Sequence, residues 1–275
     1  QNSTHHTNVM HLDKLNRDES IELLLKVTGE HDDHHANILA DTLSDYPLAI
    51  SSAGSFMAYH TTVDIKEYNR LFLNNRHELW EAENKLKIQR DEFNNYQKTV
   101  FATLSLIINK MKKESNLAYE LLAVTAFLDN DKIPENLLIQ YFKNEHGIKS
   151  IDIEFKNALF VLTKYSLLSR NYSNKTPEIK GTKELLFTTH ELIQLVMQDL
   201  LSDKEKRIYL NKAIIATNEL LPSNIYSLTD FLSNSSYYIP HIAVLIKNAE
   251  NMNLYNSEMI LLELRDLEYN LSVIR

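Results

Sequence analysis

The residues best placed to do chemistry in this sequence are histidines that stand beside acids. His190 lies in the run Phe187-Thr188-Thr189-His190-Glu191-Leu192-Ile193-Gln194-Leu195-Val196-Met197-Gln198-Asp199, where a short extended stretch gives way to an amphipathic helix. Thr188 and Glu191 have the spacing of a capping box, which predicts Thr188 as the N-cap, Thr189 as the first helical residue and His190 as the second. There the positive end of the helix dipole disfavours imidazolium, and unpaired backbone N–H groups welcome an anion. Local pattern allows two readings: a neutral histidine at an anion site, or a partly buried histidine that satisfies a neighbouring carbonyl.

The other candidates are weaker. His31-Asp32-Asp33-His34-His35 sets two histidines at i and i+4, but acids ahead of a helix need no metal to explain them and predict a solvated helix start. His190-Glu191 and His77-Glu78 each begin the H-E-x-x-H zinc pattern, yet the fifth positions are Gln194 and Glu81. No G-x-S-x-G elbow occurs, and with no cysteine there is neither a thiolate nucleophile nor a disulfide. The four glycines, at 29, 54, 147 and 181, cannot build a G-x-x-x-x-G-K-[ST] phosphate loop, and no strand ends in paired acids to hold magnesium. The expectation is a chain without catalytic residues or a metal site, which alone neither binds nor hydrolyses ATP well.

Those candidates must be positioned by helices. The chain has 275 residues with 44% hydrophobic content but only 4 Gly and 5 Pro, so it is long enough for two or three domains and poor in turns. Lys and Arg number 29 against 37 Asp and Glu, a net charge of −8 that argues against a general attraction to nucleic acid or anionic lipid. No signal-peptide pattern or long apolar run occurs, and the cysteine-free composition fits a cytoplasmic setting. The first residue is Gln1 rather than methionine, as expected of a fragment or a processed product.

Val9-Met10-His11-Leu12 reads as a lone strand remnant. Asn16 and Glu19 then open a helix with Ile21, Leu24 and Leu25 on one face, closing at Gly29. A second helix follows Asp32-Asp33, with Ile38, Leu39, Thr42 and Leu43 on one face, and must stop before Pro47. Pro47 starts a third, made largely of small residues through Ser51-Ser52-Ala53-Gly54-Ser55, a pattern of close backbone packing or ligand approach. A fourth, about 63–73, completes a four-helix domain, and Asn74 to Asp91 reads as a separate linking helix.

Helices follow at about 96–112, 115–128, 134–145 and 151–166, the first ending in cations at Lys110-Met111-Lys112-Lys113. Two strands, Leu167 to Tyr172 and Glu184 to Thr188, are joined by a polar loop from Ser173 to Lys183. Helices followed by a β-hairpin and another helix make a winged-helix arrangement. From Lys204 the pattern is helical again, broken at Pro222 and Pro240, with faces at Ile208, Ala213, Ile215 and Leu220 and then at Ile242, Leu245, Ile246 and Ala249. A last helix, about 255–275, would begin an α-solenoid. The fold class expected is mainly α: a helical domain over 1–75, a linker helix over 76–95, a winged-helix domain over 96–203 and antiparallel helices over 204–275.

The order of these pieces resembles the regulatory half of the NB-ARC branch of the STAND signal-transduction ATPases. Leu12 to Leu24 looks like the start of that family's first helical domain. Tyr46-Pro47-Leu48-Ala49-Ile50 looks like its G-x-P-L-A element, whose proline lies against adenine, and Phe187 to Gln194 looks like its M-H-D-type element, whose histidine reaches the β-phosphate of ADP. Tyr238-Ile239-Pro240-His241 is similar to the segment before the tetratricopeptide repeats of bacterial members. Tyr46 stands where a glycine pattern is usual, and Glu191 replaces the aspartate after the histidine.

The resemblance implies a cofactor-binding role for Pro47 and His190 toward ADP or ATP held by an upstream nucleotide-binding domain, with the nucleotide not retained by this chain alone. It also implies a protein or other ligand bound through C-terminal repeats, and a homo-oligomer on activation. Two rival readings are a winged-helix DNA-binding regulator and a helical protein-binding scaffold lacking nucleotide control. The helix that would enter DNA, Ile153 to Lys164, has just two basic residues and an apolar character that predicts burial.

Overall fold

The structure is a computed structural model that describes residues 14–86, 95–147, 151–171, 178–179, 182–222 and 236–254, with positions 265, 266, 268, 269 and 272. The strand expected at Val9 to Leu12 lies outside the described residues, as do most of the expected terminal helix and most of the loop from Ser173 to Lys183. The described chain is mainly α, with a small antiparallel sheet. It forms two compact units, 1–103 and 104–275.

In the first unit α1 (Arg17–Thr28) is opened by a complete capping box between Asn16 and Glu19 and closed by Gly29, whose φ of 73° is the left-handed geometry that glycine supplies at no steric cost. α2 (Asp33–Thr42) is capped by Asp32 and buries Leu39 while leaving Ile38 at the surface. The turn into α3 (Pro47–Tyr59) carries two consecutive left-handed residues, Ser44 and Asp45, at φ 56° and 57°. Arg17 holds it: its guanidinium donates to both oxygens of Asp45, each at 2.8 Å, and to Asp41 at 2.9 Å. Burial alone would raise the Asp45 carboxyl, but Arg17, with smaller contributions from Ser20 and Lys14, keeps Asp45 below its ordinary value.

Pro47 occupies the first position of α3, where the N–H it lacks is not needed. The small residues of α3 serve helix packing, since a Cβ added at Gly54 would stand 3.0 Å from Cγ1 of Val27 on α1. α4 departs from expectation. It runs unbroken from Ile65 to Leu86, because Asn74-Asn75 provides neither glycine nor proline to end it, so the fourth helix and the start of the expected linker helix are one.

α5 (Asn95–Glu114) begins in the first unit and ends in the second. In the second unit α6 (Asn116–Thr125) leads to β1 (Ile133–Pro134) and α7 (Glu135–His146), with Pro134 as both strand residue and N-cap. In place of one helix over 151–166 the chain makes a π-helical turn, Ile151–Phe155, and then α8 (Lys156–Lys164). Two β-branched isoleucines in the first three residues weaken regular helix there. β2 (Ser169–Asn171) pairs with β5 (Leu186–Thr188) in the register Arg170 opposite Phe187, and β1 pairs with the other edge of β5. β3 (Glu178–Ile179) and β4 (Thr182–Lys183) pair with each other inside the expected loop.

α9 (Glu191–Leu200) follows the sheet, and α10 (Asp203–Leu220) is opened by a Ser202–Glu205 capping box. The buried stripe of α10 is Leu210, Ala213, Ile214 and Thr217, not the expected one, since Ile208 is exposed. Pro240 does not break the chain but sits in the first turn of α11 (Tyr238–Asn251), where its missing N–H costs no helical bond.

Candidate functional site

His190 stands two residues past β5 and is itself the N-cap of α9, with φ −83° and ψ 139°. The expected capping box therefore does not form. Thr188 is still paired with Ser169 in the sheet, and the Thr189 N–H donates to the Asn130 carbonyl at 2.9 Å, so neither backbone is released for helix until His190. Glu191 becomes the first helical residue instead of the third.

The cap settles the state of the imidazole. The Leu192 N–H donates to Nδ1 at 3.1 Å, so Nδ1 carries a lone pair and the proton of the neutral ring is on Nε2. Desolvation holds His190 below the ordinary histidine pKa, against the opposing field of Glu191. Surface exposure and the tautomer together make Nε2–H a donor to whatever approaches. The backbone offers less than the sequence implied, because the Ile193 N–H is taken by the His190 carbonyl at 2.8 Å and the Leu192 N–H by the imidazole. The anion-binding capacity of this helix start therefore resides chiefly in one side chain.

That side chain is held on a stiff base. Gln194 Nε2 donates to the Thr125 and Leu128 carbonyls at 2.7 and 3.0 Å, and Gln198 donates to the Ala126 carbonyl, so α9 is tied to the carbonyls at and just past the end of α6. Thr189 Oγ1 donates to the Leu167 carbonyl at 2.9 Å. The glutamines were legible as an i, i+4 pair, but not their target.

Residues 109–206, which contain β1, β2, β5, His190 and all of α9, match the model of a domain of unknown function, DUF7779. No curated protein matches the chain. Pro47 lies outside the matched residues and in the first unit, whereas His190 is in the second. The N-cap of its helix, Tyr46, makes no side-chain cap bond, and the Lys14 ammonium lies 4.7 Å from the Tyr46 ring centroid.

Sequence reasoning missed Glu184, the one acid buried in the described part of the second unit, only 5% exposed. Its Oε1 accepts the Asn136 N–H at the start of α7 at 3.3 Å and the Tyr238 hydroxyl at 3.1 Å, and its Oε2 accepts the Tyr237 hydroxyl. Burial pushes the carboxyl above its usual range despite these bonds. His241, fully buried, lies against the Lys132 carbonyl through Nε2 at 3.1 Å, and desolvation lowers its pKa. In the His31 to His35 group, Asp32 caps α2 by accepting the His35 N–H at 3.0 Å and holds the His35 ring at 2.7 Å.

Proposed function

We propose that this chain is the nucleotide-state sensing and transduction segment of a STAND-type switch. In this reading the second unit is a winged helix that carries His190 to the β-phosphate of ADP held by an upstream nucleotide domain. The observation that supports it is the tautomer: a neutral imidazole whose Nδ1 is occupied has one donor to offer, and phosphate oxygen is an acceptor without protons to give. Desolvation holds the imidazole pKa below its ordinary value, which favours the neutral ring that this contact uses.

The residues fit the group in kind. His190 would bind the phosphate, and Pro47 would lie against the base as the resemblance implies; the nucleotide supplies a charge whose position differs between resting and active states. This chain's contribution is a two-state contact, present or broken, that biases the packing of the helical units and of the repeats beyond them. Loss of the contact would permit exchange and oligomerisation.

The test is nucleotide retention by the natural full-length protein. His190→Asn keeps a helix cap but removes the Nε2 donor, so co-purified ADP should fall at least tenfold and the oligomeric fraction should rise. ADP content and oligomeric state both unchanged would remove the latch assignment.

A further inference from the structure

The helix from Ile153 to Lys164, expected to be buried, hides Ala158, Leu159, Val161 and Leu162 but leaves Phe160 60% exposed. A lone apolar residue at a surface needs no explanation. A left-handed lysine bonded to a buried histidine does, and one lies between α6 and β1.

Residues 126–132 cross from α6 to β1, and the carbonyls along this crossing are bonded by two different helices. The α9 glutamines take those of Thr125, Ala126 and Leu128, and the Thr189 N–H, just before α9, takes that of Asn130. From α11, Asn248 Nδ2 donates to the Phe127 carbonyl at 3.2 Å and His241 Nε2 to the Lys132 carbonyl at 3.1 Å. Those two side chains are about two helical turns apart and so share one face of α11. A carbonyl can only accept, so the His241 proton is on Nε2; its Nδ1 is buried and has no hydrogen-bond partner. The ring therefore commits its hydrogen bonding to this one carbonyl.

Lys132 has φ 51°, and lysine lacks the short polar side chain with which Asn or Asp takes the left-handed geometry. Its side chain is at the surface, with the ammonium 3.9 Å from Asp131, so packing does not hold the backbone there. The bend is held by bonds instead: the Asp131 N–H to Asp129 Oδ1 at 3.0 Å, His241 at the Lys132 carbonyl, and Ile133 paired opposite Phe187. The other end of the same bend sets the His190 cap. By accepting the Thr189 N–H at 2.9 Å, the Asn130 carbonyl withholds Thr189 from the helix and leaves His190 as its N-cap. Only Asp131 separates the residue bonded to α11 from the residue bonded next to His190.

We propose that the bend at 130–132 is a relay: the His241 contact from α11 keeps Lys132 left-handed, and the bend so held keeps Thr189 on Asn130 and His190 at the cap. When α11 withdraws, Lys132 relaxes to ordinary backbone, the Asn130 carbonyl turns from Thr189, and the imidazole loses its fixed position. The bend and His190 lie within the residues that match the domain model and α11 lies outside them, so the contact joins that domain to the helix that follows it. Use of the relay to move a phosphate-binding ring rests on the nucleotide reading; the coupling itself is measured without nucleotide.

The experiment is amide hydrogen exchange by NMR on the 275-residue chain, reading Thr189 and Leu192 against Ala213 inside α10. Lys132→Val and Lys132→Gly both delete the lysine side chain, but valine resists the left-handed geometry and glycine accepts it. Lys132→Val and His241→Leu should each speed exchange at Thr189 and Leu192 by about tenfold with Ala213 unchanged, and Lys132→Gly alone should leave all three unchanged. Lys132→Gly added to His241→Leu should slow Thr189 again by at least about threefold, because glycine takes the bend without the histidine. If His241→Leu does not fold, the valine and glycine variants, at an exposed position, decide alone. Thr189 exchange unchanged in Lys132→Val, acceleration of Ala213 in step with it, or no rescue by glycine would each overturn the relay. ADP retention indifferent to His190 would leave these rates as predicted, so the relay and the latch fail separately.

Discussion

Glu184 and His190 flank the same three-residue strand, and each accepts a backbone N–H at the start of a helix, yet they do so in opposite ways. Glu184 is buried, caps α7 from 48 residues away and is closed in by the hydroxyls of Tyr237, the N-cap of α11, and Tyr238, its first residue. His190 is exposed, caps its own helix from two residues away and keeps one ring nitrogen for something else. A polar side chain whose bonding capacity is used up inside the protein holds the fold, whereas one with a donor left at the surface can act on a ligand. The difference separates a structural acid from a candidate latch without appeal to residue type.

Glu184→Leu should break that comparison with the largest effect. It removes the acceptor that two tyrosine hydroxyls and the Asn136 N–H share, so a loss of about 1–3 kcal/mol is expected in urea denaturation. A loss under ~1 kcal/mol would place Glu184 with the surface acids.

The charge of Glu184 carries a smaller, signed effect. Its folded pKa lies above the ordinary value, so the folded state binds the proton more tightly than the unfolded chain, and stability from this group is present in acid and lost as pH rises through the folded pKa. Glu184→Gln cannot ionise. Its stability relative to the parent chain should therefore increase between pH 4 and 7, whatever constant offset the amide introduces; a flat or falling difference across that range would contradict the raised pKa.

His190 should show the smallest effect on stability. His190→Ala removes the N-cap acceptor and should cost about 1 kcal/mol, while His190→Asn supplies a better cap and should cost nothing measurable. Thermal melts of the two variants test this directly. If Asn were as damaging as Ala, the imidazole would be packing or bonding through more than Nδ1.

What was legible in the sequence follows the same division between local and distant. Asn16 with Glu19, Gly29 at a helix end and Pro47 at a helix start are local rules, and each is realised within a few residues of where it is written. The His190 cap was misread by two positions because Thr188 and Thr189 are bound elsewhere, to Ser169 and Asn130, and a residue's local preference yields to a sheet pairing already made. β1, two residues long, carries no periodicity to detect, and the left-handed pair Ser44-Asp45 depends on Arg17, 28 residues away from Asp45. Glu184 was invisible for the same reason, since nothing in Lys183-Glu184-Leu185 announces two tyrosines more than fifty residues further on.

The central claim is that His190 is a neutral ring offering Nε2–H to a phosphate. The most direct measurement is the imidazole ¹⁵N spectrum of His190 in the natural full-length protein, recorded near pH 7 as ADP is added. The account predicts a ring protonated on Nε2 and bare on Nδ1 both before and after, with the Nε2 resonance moving on ADP binding and no such change with adenosine. A ring protonated on Nδ1, or an Nε2 resonance indifferent to ADP, would contradict it.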